Sequence, residues 1–295
     1  MADTTTLVDG LYFGEGPRWH DGRLYVSDFY AHVVWEITED GVKAEYVRLP
    51  DGGQTSGLGW LPDGRMLLVS MLDRKVLRRE PDGTLVEHAD LSGVATFHCN
   101  DMVVDAAGNA YVGNFGFDLD AYLLEHGIEG VLAEPGPPQA VLALVRPDGS
   151  VEVVAEHLKF PNGAVITPDG KTLILAETLG MRLTAFDIQP DATLANRRMW
   201  ADIMGAAPDG ICLNAEGFVW VANAVGHECI CYAEEGHIVA KVDTQMTPYA
   251  CMLGGADGRT LFVCTAGSSV AVHAAAAPTG RIEVARVSTP HAGLP

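Results

Sequence analysis

The sequence predicts an all-β fold, a six-bladed β-propeller, and three observations lead to it. Apolar runs are short, rich in Val, Leu and Ile, and broken by Asp-Gly or similar turns, which is typical of strands joined in hairpins. A unit of strand, turn and strand recurs six times in the 295 residues. The turn glycines of successive units lie 41 to 62 residues apart, which is the period of a propeller with several strands per blade.

The six units share a polar first residue, an apolar strand, a turn that contains glycine, and a second apolar strand with a polar end. They are residues 15–28, 56–70, 100–114, 162–177, 209–223 and 250–265. Further strand candidates lie between them, such as VVWEI (33–37) and RLTAFDI (182–188), and they complete about four strands per blade. Because six such units close on themselves, we expect residues 1–295 to form one domain.

One segment does not fit the repeat. The longest interval separates the third unit from the fourth, and residues 118–139 account for it. DAYLLEHGIE (120–129) has the composition of a short helix, whereas EPGPPQ (134–139) cannot be regular. An insertion of this size is either a decorated loop or a flap over the binding face.

The first position of the unit is polar more often than a buried strand requires. In a propeller the first strand of each blade lines the central channel, so these side chains are expected to ring its mouth. The six residues are Glu15, Ser56, Asn100, Asn162, Asp209 and Ala250. Local Asx-turns are one explanation of the pattern. Oxygen ligands that converge on a metal ion are the other, since carboxylate and amide oxygens suit Ca²⁺, Mg²⁺ or Mn²⁺.

The last position of the unit is polar as well. These residues are expected to surround the ring and contact substrate, or to be ordinary solvated strand ends. They are Asp28, Ser70, Asn114, Glu177, Asn223 and Thr265.

The composition excludes several classes of protein. The formal net charge of −20 argues against nucleic acid and anionic membranes as partners, since both need a basic surface. The amino-terminal MADTTTLVDG lacks the basic and apolar parts of a signal peptide, and no apolar run approaches the ~18 residues of a membrane span. We therefore expect a cytoplasmic protein whose six cysteines are reduced and mostly buried. The choice between monomer and homodimer stays open.

Four segments, in order and at blade spacing, resemble the SMP-30/gluconolactonase/regucalcin family. They are GEGPRWHDGRLYVSD, FHCNDMVVDAAGNAYVGNF, FPNGAVITPDGKTLILAET and PDGICLNAEGFVWVANA, and the likeness extends over about residues 8–287. The resemblance implies a six-bladed propeller that holds one divalent metal ion in its channel through Glu15, Asn162 and Asp209. It implies that Asn100 contacts substrate or a metal-bound water, and that the activity is hydrolysis of lactones or of related esters. Whether the ion is Ca, Zn, Mn, Mg or Fe is left open.

The chain departs from the animal members of this family at two places. His98 stands where they have an arginine that grips sugar hydroxyls, and Phe117 stands where they have an acidic residue. Aromatic residues are also expected near the mouth, and they favour a lactone more apolar than that of a sugar acid, unless they pack between blades. They are Tyr12, Phe13, Trp60, Phe115, Phe117 and Phe160.

These residues lead to the hypothesis of a metal-dependent lactone hydrolase with a small-molecule substrate. Asp209 takes the proton of the attacking water and passes it to the leaving alkoxide, and Asn100 and His98 orient the substrate. His98 is alternatively the acid–base group or a packing residue. Asn114 and Glu177 join Phe117 as expected substrate contacts. A metal-dependent lyase or isomerase, another esterase, and a non-catalytic calcium-binding protein remain alternatives.

Overall fold

Six four-stranded antiparallel sheets stand around one axis in the computed structural model, which describes residues 3–50, 52–133 and 135–295. The first strand of each sheet contacts the first strands of the two neighbouring sheets, and this closes a ring. The predicted six-bladed β-propeller is therefore confirmed.

Blades 1 to 3 follow one another along the chain, each with its strands in sequence order from the axis outward. Their strands are β2 (Gly14–His20), β3 (Arg23–Asp28), β4 (Val33–Ile37) and β5 (Lys43–Arg48); β6 (Thr55–Trp60), β7 (Met66–Ser70), β8 (Lys75–Arg79) and β9 (Leu85–Asp90); and β10 (Cys99–Val104), β11 (Ala110–Asn114), β12 (Ala140–Val145) and β13 (Val151–Leu158).

Blades 4 to 6 complete the ring. Their strands are β14 (Pro161–Ile166), β15 (Thr172–Glu177), β16 (Arg182–Ile188) and β17 (Leu194–Asp202); β18 (Pro208–Leu213), β19 (Val219–Asn223), β20 (Glu228–Tyr232) and β21 (Ile238–Asp243); and β22 (Thr247–Gly254), β23 (Thr260–Ala266), β24 (Gly280–Arg286) and β1 (Thr5–Leu11).

Blade 6 joins the two ends of the chain. Strand β1 pairs antiparallel with β24 as the outermost strand of this blade, with Thr5 opposite Val284. The ring is thereby closed by backbone hydrogen bonds between distant segments, and β1 is the outer edge strand of blade 6.

The inner strands are buried on both faces. Every residue of β10, β14 and β18 is buried, because each inner strand is covered by neighbouring blades on either side. A strand covered on both faces reads as a continuous apolar run rather than as an alternation. A polar residue on such a strand therefore marks a position where burial serves something other than packing.

The recurrent Asp-Gly turns have a common local cause. The Oδ1 atoms of Asp63 and Asp169 each accept a hydrogen bond of 3.1 Å from the amide two residues later. The glycine between them has a positive φ, +84° at Gly64 and +69° at Gly170, a conformation that glycine adopts without steric cost. The turn residues visible in the sequence thus set the hairpin at the end of the blade away from the first-position residues.

The insertion between β11 and β12 contains helix α1 (Leu119–Leu132). Asp118 caps it by accepting a hydrogen bond of 3.0 Å from the Ala121 amide, and Gly127 interrupts its helical geometry. The predicted short helix is confirmed, and it continues beyond the predicted end. Residues 135–139 contain neither helix nor strand, as predicted for this segment. Glu134, the first residue of the predicted irregular segment, lies outside the described residues.

The six cysteines lie buried as free thiols, as the sequence predicts. None of the helices in the described ranges has the length and apolar character needed to cross a membrane. A second short helix, α2 (Ala271–Ala274), lies in the connection between β23 and β24.

The chain after β24 crosses the ends of two inner strands. Leu294 pairs with Ile166 at the end of β14, and His291 pairs with Asn214 just after β18. Both contacts lie at the end of the channel away from Asn162 and Asp209, so the tail covers part of that end and the polar ring faces the opposite mouth.

Candidate active site

Each inner strand is irregular directly beside its first-position residue. The ladder between the first and second strands shifts register at or next to this residue in all six blades, as between Cys99 and Met102 or between Pro161 and Ala164. An irregularity of this kind bends a strand and changes the direction of a side chain. It accounts for the first-position side chains of different blades meeting at the axis.

Glycine follows two of these residues because the inner strands approach closely there. A Cβ atom at Gly163 would lie 2.7 Å from the Asp209 carbonyl oxygen, and one at Gly210 would lie 2.5 Å from the Cβ of Ala250. Both distances are below any real contact, so only glycine fits. The sequences Pro-Asn-Gly and Pro-Asp-Gly therefore combine a polar side chain for the channel with a residue that lets the next blade come near.

The first-position residues form a hydrogen-bonded row across four blades. The Ser56 hydroxyl donates to Asn100 Oδ1 at 3.1 Å, and Asn100 Nδ2 donates to Asn162 Oδ1 at 3.1 Å. Asn162 in turn hydrogen-bonds to Asp209. The structure thus brings together Asn100, Asn162 and Asp209, and buried Glu15 lies near enough to Asp209 for the two charges to interact.

Two buried carboxylates at the axis destabilise each other. Burial raises the pKa of Glu15 well above its usual value, and the nearby charges of Asp209 and Asp101 raise it further. The pKa of Asp209 is also raised by burial and by Asp101, against a hydrogen bond from Asn162 that lowers it. Each residue is less than a tenth exposed, so water offers little compensation.

Arg18 supplies a cation at the axis that the sequence analysis missed. Its Nη2 atom donates to Asp101 Oδ1 at 2.7 Å, and its Nε atom donates to the Leu58 carbonyl at 3.0 Å. Arg18 is 3% exposed and Asp101 is 7% exposed. The sequence signal for this ion pair was an arginine within an inner strand, because a guanidinium is rarely buried without an acidic partner.

The ionisable side chains at the axis carry a net negative charge of two. Glu15, Asp101 and Asp209 contribute three carboxylates, and Arg18 contributes one guanidinium. When all are ionised the sum is −2, which a divalent cation would neutralise. A further sign is Asp209 Oδ1, which is buried and lacks a hydrogen-bond partner. Unpartnered buried carboxylate oxygens are costly, so this atom points to a missing ligand.

The donor set fits a hard cation that also uses carboxamide oxygen. Within residues 3–50, 52–133 and 135–295, no group of three His, Cys, Asp or Glu side chains could hold a metal by itself. Glu15 and Asp209 offer two carboxylates, and Asn162 Oδ1 retains a lone pair beyond the bond from Asn100. Ca²⁺, Mg²⁺ and Mn²⁺ accept such mixed oxygen ligands, whereas a structural Zn²⁺ site requires four nitrogen or sulfur ligands.

A cavity of about 470 Å³ opens above this ring. Glu15, Asn100, Asn162 and Asp209 form its floor, and His98 lies in its wall. The His98 ring stacks on Phe97 with centroids 4.0 Å apart. Burial lowers the pKa of His98, so its imidazole is neutral near pH 7 and can donate or accept a hydrogen bond.

The insertion covers part of this cavity. Asp118, Leu119, Asp120, Ala121 and Leu123 all line it. Of the two alternatives for residues 118–139, the structure therefore favours the flap over the binding face.

The residues at the ends of the second strands do not reach the cavity. Asn114 is paired with Cys99, and Glu177 with Pro161, each the neighbour of a first-position residue. Neither Asn114 nor Glu177 is among the residues that line the cavity. The sequence therefore predicts the strand end at which these residues lie, whereas the tertiary structure sets which side chains line the cavity.

Hydrogen bonds within the blades occupy these side chains. Asn114 accepts from the Gly116 amide and donates to the Val141 carbonyl. Glu177 is fully buried and binds Arg182 Nη2 at 2.9 Å and Arg197 Nη2 at 3.1 Å. These bonds hold the strand connections and give Asn114 and Glu177 structural roles.

The variant Glu177→Gln tests this structural role. We expect the free energy of unfolding to fall by about 1–3 kcal/mol, because a charge-assisted network is broken but both arginines keep access to water. Catalytic parameters should change by less than about twofold, since the side chain lies outside the cavity. Chemical denaturation and steady-state kinetics measure the two effects. A raised KM at unaltered stability would restore the predicted substrate contact.

The predicted aromatic mouth is only partly formed. Phe13, Phe115 and Phe160 line the cavity. Phe117 lies behind them, 8% exposed and packed against Tyr122, because it follows the buried Gly116 turn. Trp60 stacks on His20 at the opposite end of blades 1 and 2, since it ends β6 rather than beginning it. Tyr12 is not among the lining residues.

Comparison with known proteins agrees with this architecture. A family model described as the SMP-30/Gluconolactonase/LRE-like region matches residues 13–267. The chain belongs to this family. Since the match extends over more than four fifths of the chain, it includes all the first-position residues from Glu15 to Ala250.

Three relatives illustrate what the SMP-30/gluconolactonase family contains. Pentonolactonase XacC of Haloferax volcanii is 26% identical over 90% of this chain and 86% of its own length. L-arabinolactonase of Azospirillum brasilense is 24% identical over 100% of this chain and 92% of its own. The crystal structure of a calcium-binding protein, regucalcin, from Agrobacterium tumefaciens superposes with a TM-score of 0.73 at 20% identity, over 95% of this chain and 94% of the other.

Proposed function

We propose that the protein is a lactone hydrolase that works with one divalent metal ion at the propeller axis. The observation that carries the proposal is the unpartnered Asp209 Oδ1 at the floor of a cavity, beside a second buried carboxylate and two carboxamides. The lactonase relatives support the reaction. The calcium-binding regucalcin with the same fold supports the ion.

Glu15, Asn162 and Asp209 would hold the ion. When bound, it supplies Lewis-acid polarisation of the lactone carbonyl and lowers the pKa of water. Arg18 contributes by keeping Asp101 neutralised, so that the free charge at the axis is concentrated on Glu15 and Asp209.

Asp209 is the proposed proton carrier. Asp209 is a carboxylate on the cavity floor, where water attacking a bound lactone would lie. As water attacks the lactone carbonyl carbon, Asp209 takes one of its protons. As the ring C–O bond breaks, it returns that proton to the departing alkoxide, and the product is a hydroxy acid. Asn100 and neutral His98 orient the ester oxygens by hydrogen bonding.

Metal removal and replacement tests the proposal. Chelation should abolish hydrolysis and lower the melting temperature, because it leaves two carboxylates buried without a counter-charge. When Ca²⁺, Mg²⁺, Mn²⁺ and Zn²⁺ are added one at a time, the native ion should restore both the hydrolysis and the melting temperature. An ion at a hundred times its Kd stabilises the fold by about 2.7 kcal/mol. Thermal unfolding and pH-stat assay of a lactone panel measure the two effects.

The same experiment separates the alternatives. Metal-induced stabilisation without turnover of any lactone or ester would contradict the proposal and favour a calcium-binding protein. Lactone consumption without release of acid in the pH-stat would favour a lyase or isomerase. Full activity in chelated protein that contains no metal by elemental analysis would exclude the metal.

A further inference from the structure

We propose that the substrate is an uncharged lactone with an apolar substituent, and that helix α1 forms the wall that selects it. This inference rests on the proposed lactone hydrolysis and adds the class of substrate. Three features of the cavity lead to it: its apolar walls, its charge, and the contribution of the insertion.

The cavity is polar at the floor and mainly apolar in the walls, where Asp118 and Asp120 are the charged exceptions. Of its 25 lining residues, 15 are aromatic or aliphatic, and the first-position residues form the floor. On one side Phe115 and Phe160 stack with ring centroids 4.7 Å apart, and Phe13 and Tyr249 lie 4.8 Å apart. A lactone ring at the floor would therefore direct its substituent between hydrocarbon surfaces.

The volume is suited to a substituted ring. About 470 Å³ falls within the range of small-molecule sites and exceeds what an unsubstituted five-membered lactone fills. The remaining space is bounded mainly by aromatic and aliphatic side chains, and its neutral polar side chains are Gln54, His98, Thr178 and Ser269, besides the tyrosine hydroxyls. A polyhydroxylated substituent would lose hydrogen bonds to water there, whereas an alkyl or aryl group would gain by leaving water.

The charged residues that line the cavity are all acidic. Asp118 and Asp120 lie in the outer wall, and Glu15 and Asp209 lie at the floor. None of the lining residues in the described part of the chain is a lysine or arginine, and His98 is the one imidazole. A metal ion would compensate the floor but not the outer wall. A carboxylate on the substituent would consequently meet only like charge and receive no counter-ion.

Helix α1 forms the outer part of the apolar wall. Leu119 and Leu123 are one turn apart and both half-buried, so they face the cavity together. Tyr122 fixes the helix by packing edge-on against buried Phe117, with centroids 5.3 Å apart. The helix is therefore attached to blade 3 and presents two leucines to the substituent.

The rim of the mouth is apolar too. Apart from Leu124 on the solvent-exposed side of α1, five of the ten large hydrophobic side chains exposed in the described ranges belong to connections at this end of the propeller. They are Leu72, Met204, Val225, Val270 and Val272. An apolar substrate would therefore meet an exposed hydrophobic surface as it enters the cavity.

A set of matched γ-lactones tests the proposal in the metal-loaded protein. The set contains γ-butyrolactone, its alkyl derivatives up to γ-nonalactone, L-galactono-1,4-lactone, and the anionic 5-oxotetrahydrofuran-2-carboxylate. We expect kcat/KM to rise by up to about fourfold per methylene until the cavity is full. The galactonolactone and the anionic lactone should be at least about tenfold poorer than the alkyl lactone of similar size.

Variants of α1 connect this preference with named residues. Leu119→Asn with Leu123→Asn should reduce the ratio of kcat/KM for γ-nonalactone over γ-butyrolactone by at least about fivefold. Leu124→Asn is the matched control, because Leu124 lies on the same helix and is 91% exposed. Asp118→Asn with Asp120→Asn should improve the anionic lactone alone, since asparagine still caps the helix.

The outcomes distinguish this inference from the function on which it rests. Hydrolysis that favours the galactonolactone or the anionic lactone would overturn the substrate class and leave the lactone hydrolase standing. An equal loss of selectivity in Leu124→Asn and in the double leucine variant would overturn the role of the wall. Failure to hydrolyse any member of the set with any of the four metals would overturn both.

Discussion

Asp209→Asn is expected to lower kcat/KM on lactones by about 10²–10⁴-fold, the range associated with a proton-transfer group. Asparagine keeps the size of the side chain and its hydrogen bond to Asn162, but it can neither accept a proton nor offer a charged oxygen. Steady-state kinetics by pH-stat measure the loss. Parental kcat/KM in a variant that still binds metal would show that Asp209 is not the proton carrier.

The same variant should be more stable than the parent when both are free of metal. In the metal-free parent Glu15, Asp101 and Asp209 repel one another in a buried site, and removing one charge relieves that repulsion. The stabilisation that metal provides should shrink correspondingly. Thermal unfolding with chelator and with metal measures both effects without reference to activity.

Asp169→Asn provides the matched control for Asp209→Asn. Asp169 belongs to the turn of blade 4 and is exposed, and its bond to the Lys171 amide can be made by asparagine as well. We expect neither the activity nor the metal dependence of stability to change. Equal effects at Asp169 and Asp209 would contradict a special role for the axial carboxylate.

Arg18→Met is expected to lower the free energy of unfolding by about 3–5 kcal/mol, because it leaves Asp101 buried and unpaired. For a domain of this size, such a loss shifts the melting temperature by on the order of 10 °C. The substitution also removes a donor to the Leu58 carbonyl, which adds an unsatisfied acceptor at the axis. Chemical denaturation with metal present measures the change.

A double variant separates charge from packing at this pair. Arg18→Met with Asp101→Asn removes both charges, so it should recover a substantial part of the stability lost in Arg18→Met alone. Arg18→Lys should fall in between, since lysine keeps the charge but cannot form the same fork of hydrogen bonds. A double variant as unstable as the single one would show that the ion pair contributes no coupling.

Local sequence determines much of this protein. The Asp-Gly turns follow from side-chain-to-backbone bonds and positive φ at single residues, and apolar runs of strand length follow from burial on both faces. Repetition of that unit six times is enough to predict the propeller. The same repetition places Glu15, Asn100, Asn162 and Asp209 at equivalent positions, so their meeting at the channel could be inferred without coordinates.

Tertiary structure alone decided which side chains face the cavity and how charge is compensated at the axis. Asn114 and Glu177 do not line the cavity, and hydrogen bonds within their own blades hold both side chains. Arg18 and Asp101 lie in different blades and are 83 residues apart in the sequence. Helix α1 covers the mouth because of the packing of Tyr122 on Phe117. Contacts of this kind depend on where distant segments meet, and no local pattern encodes that.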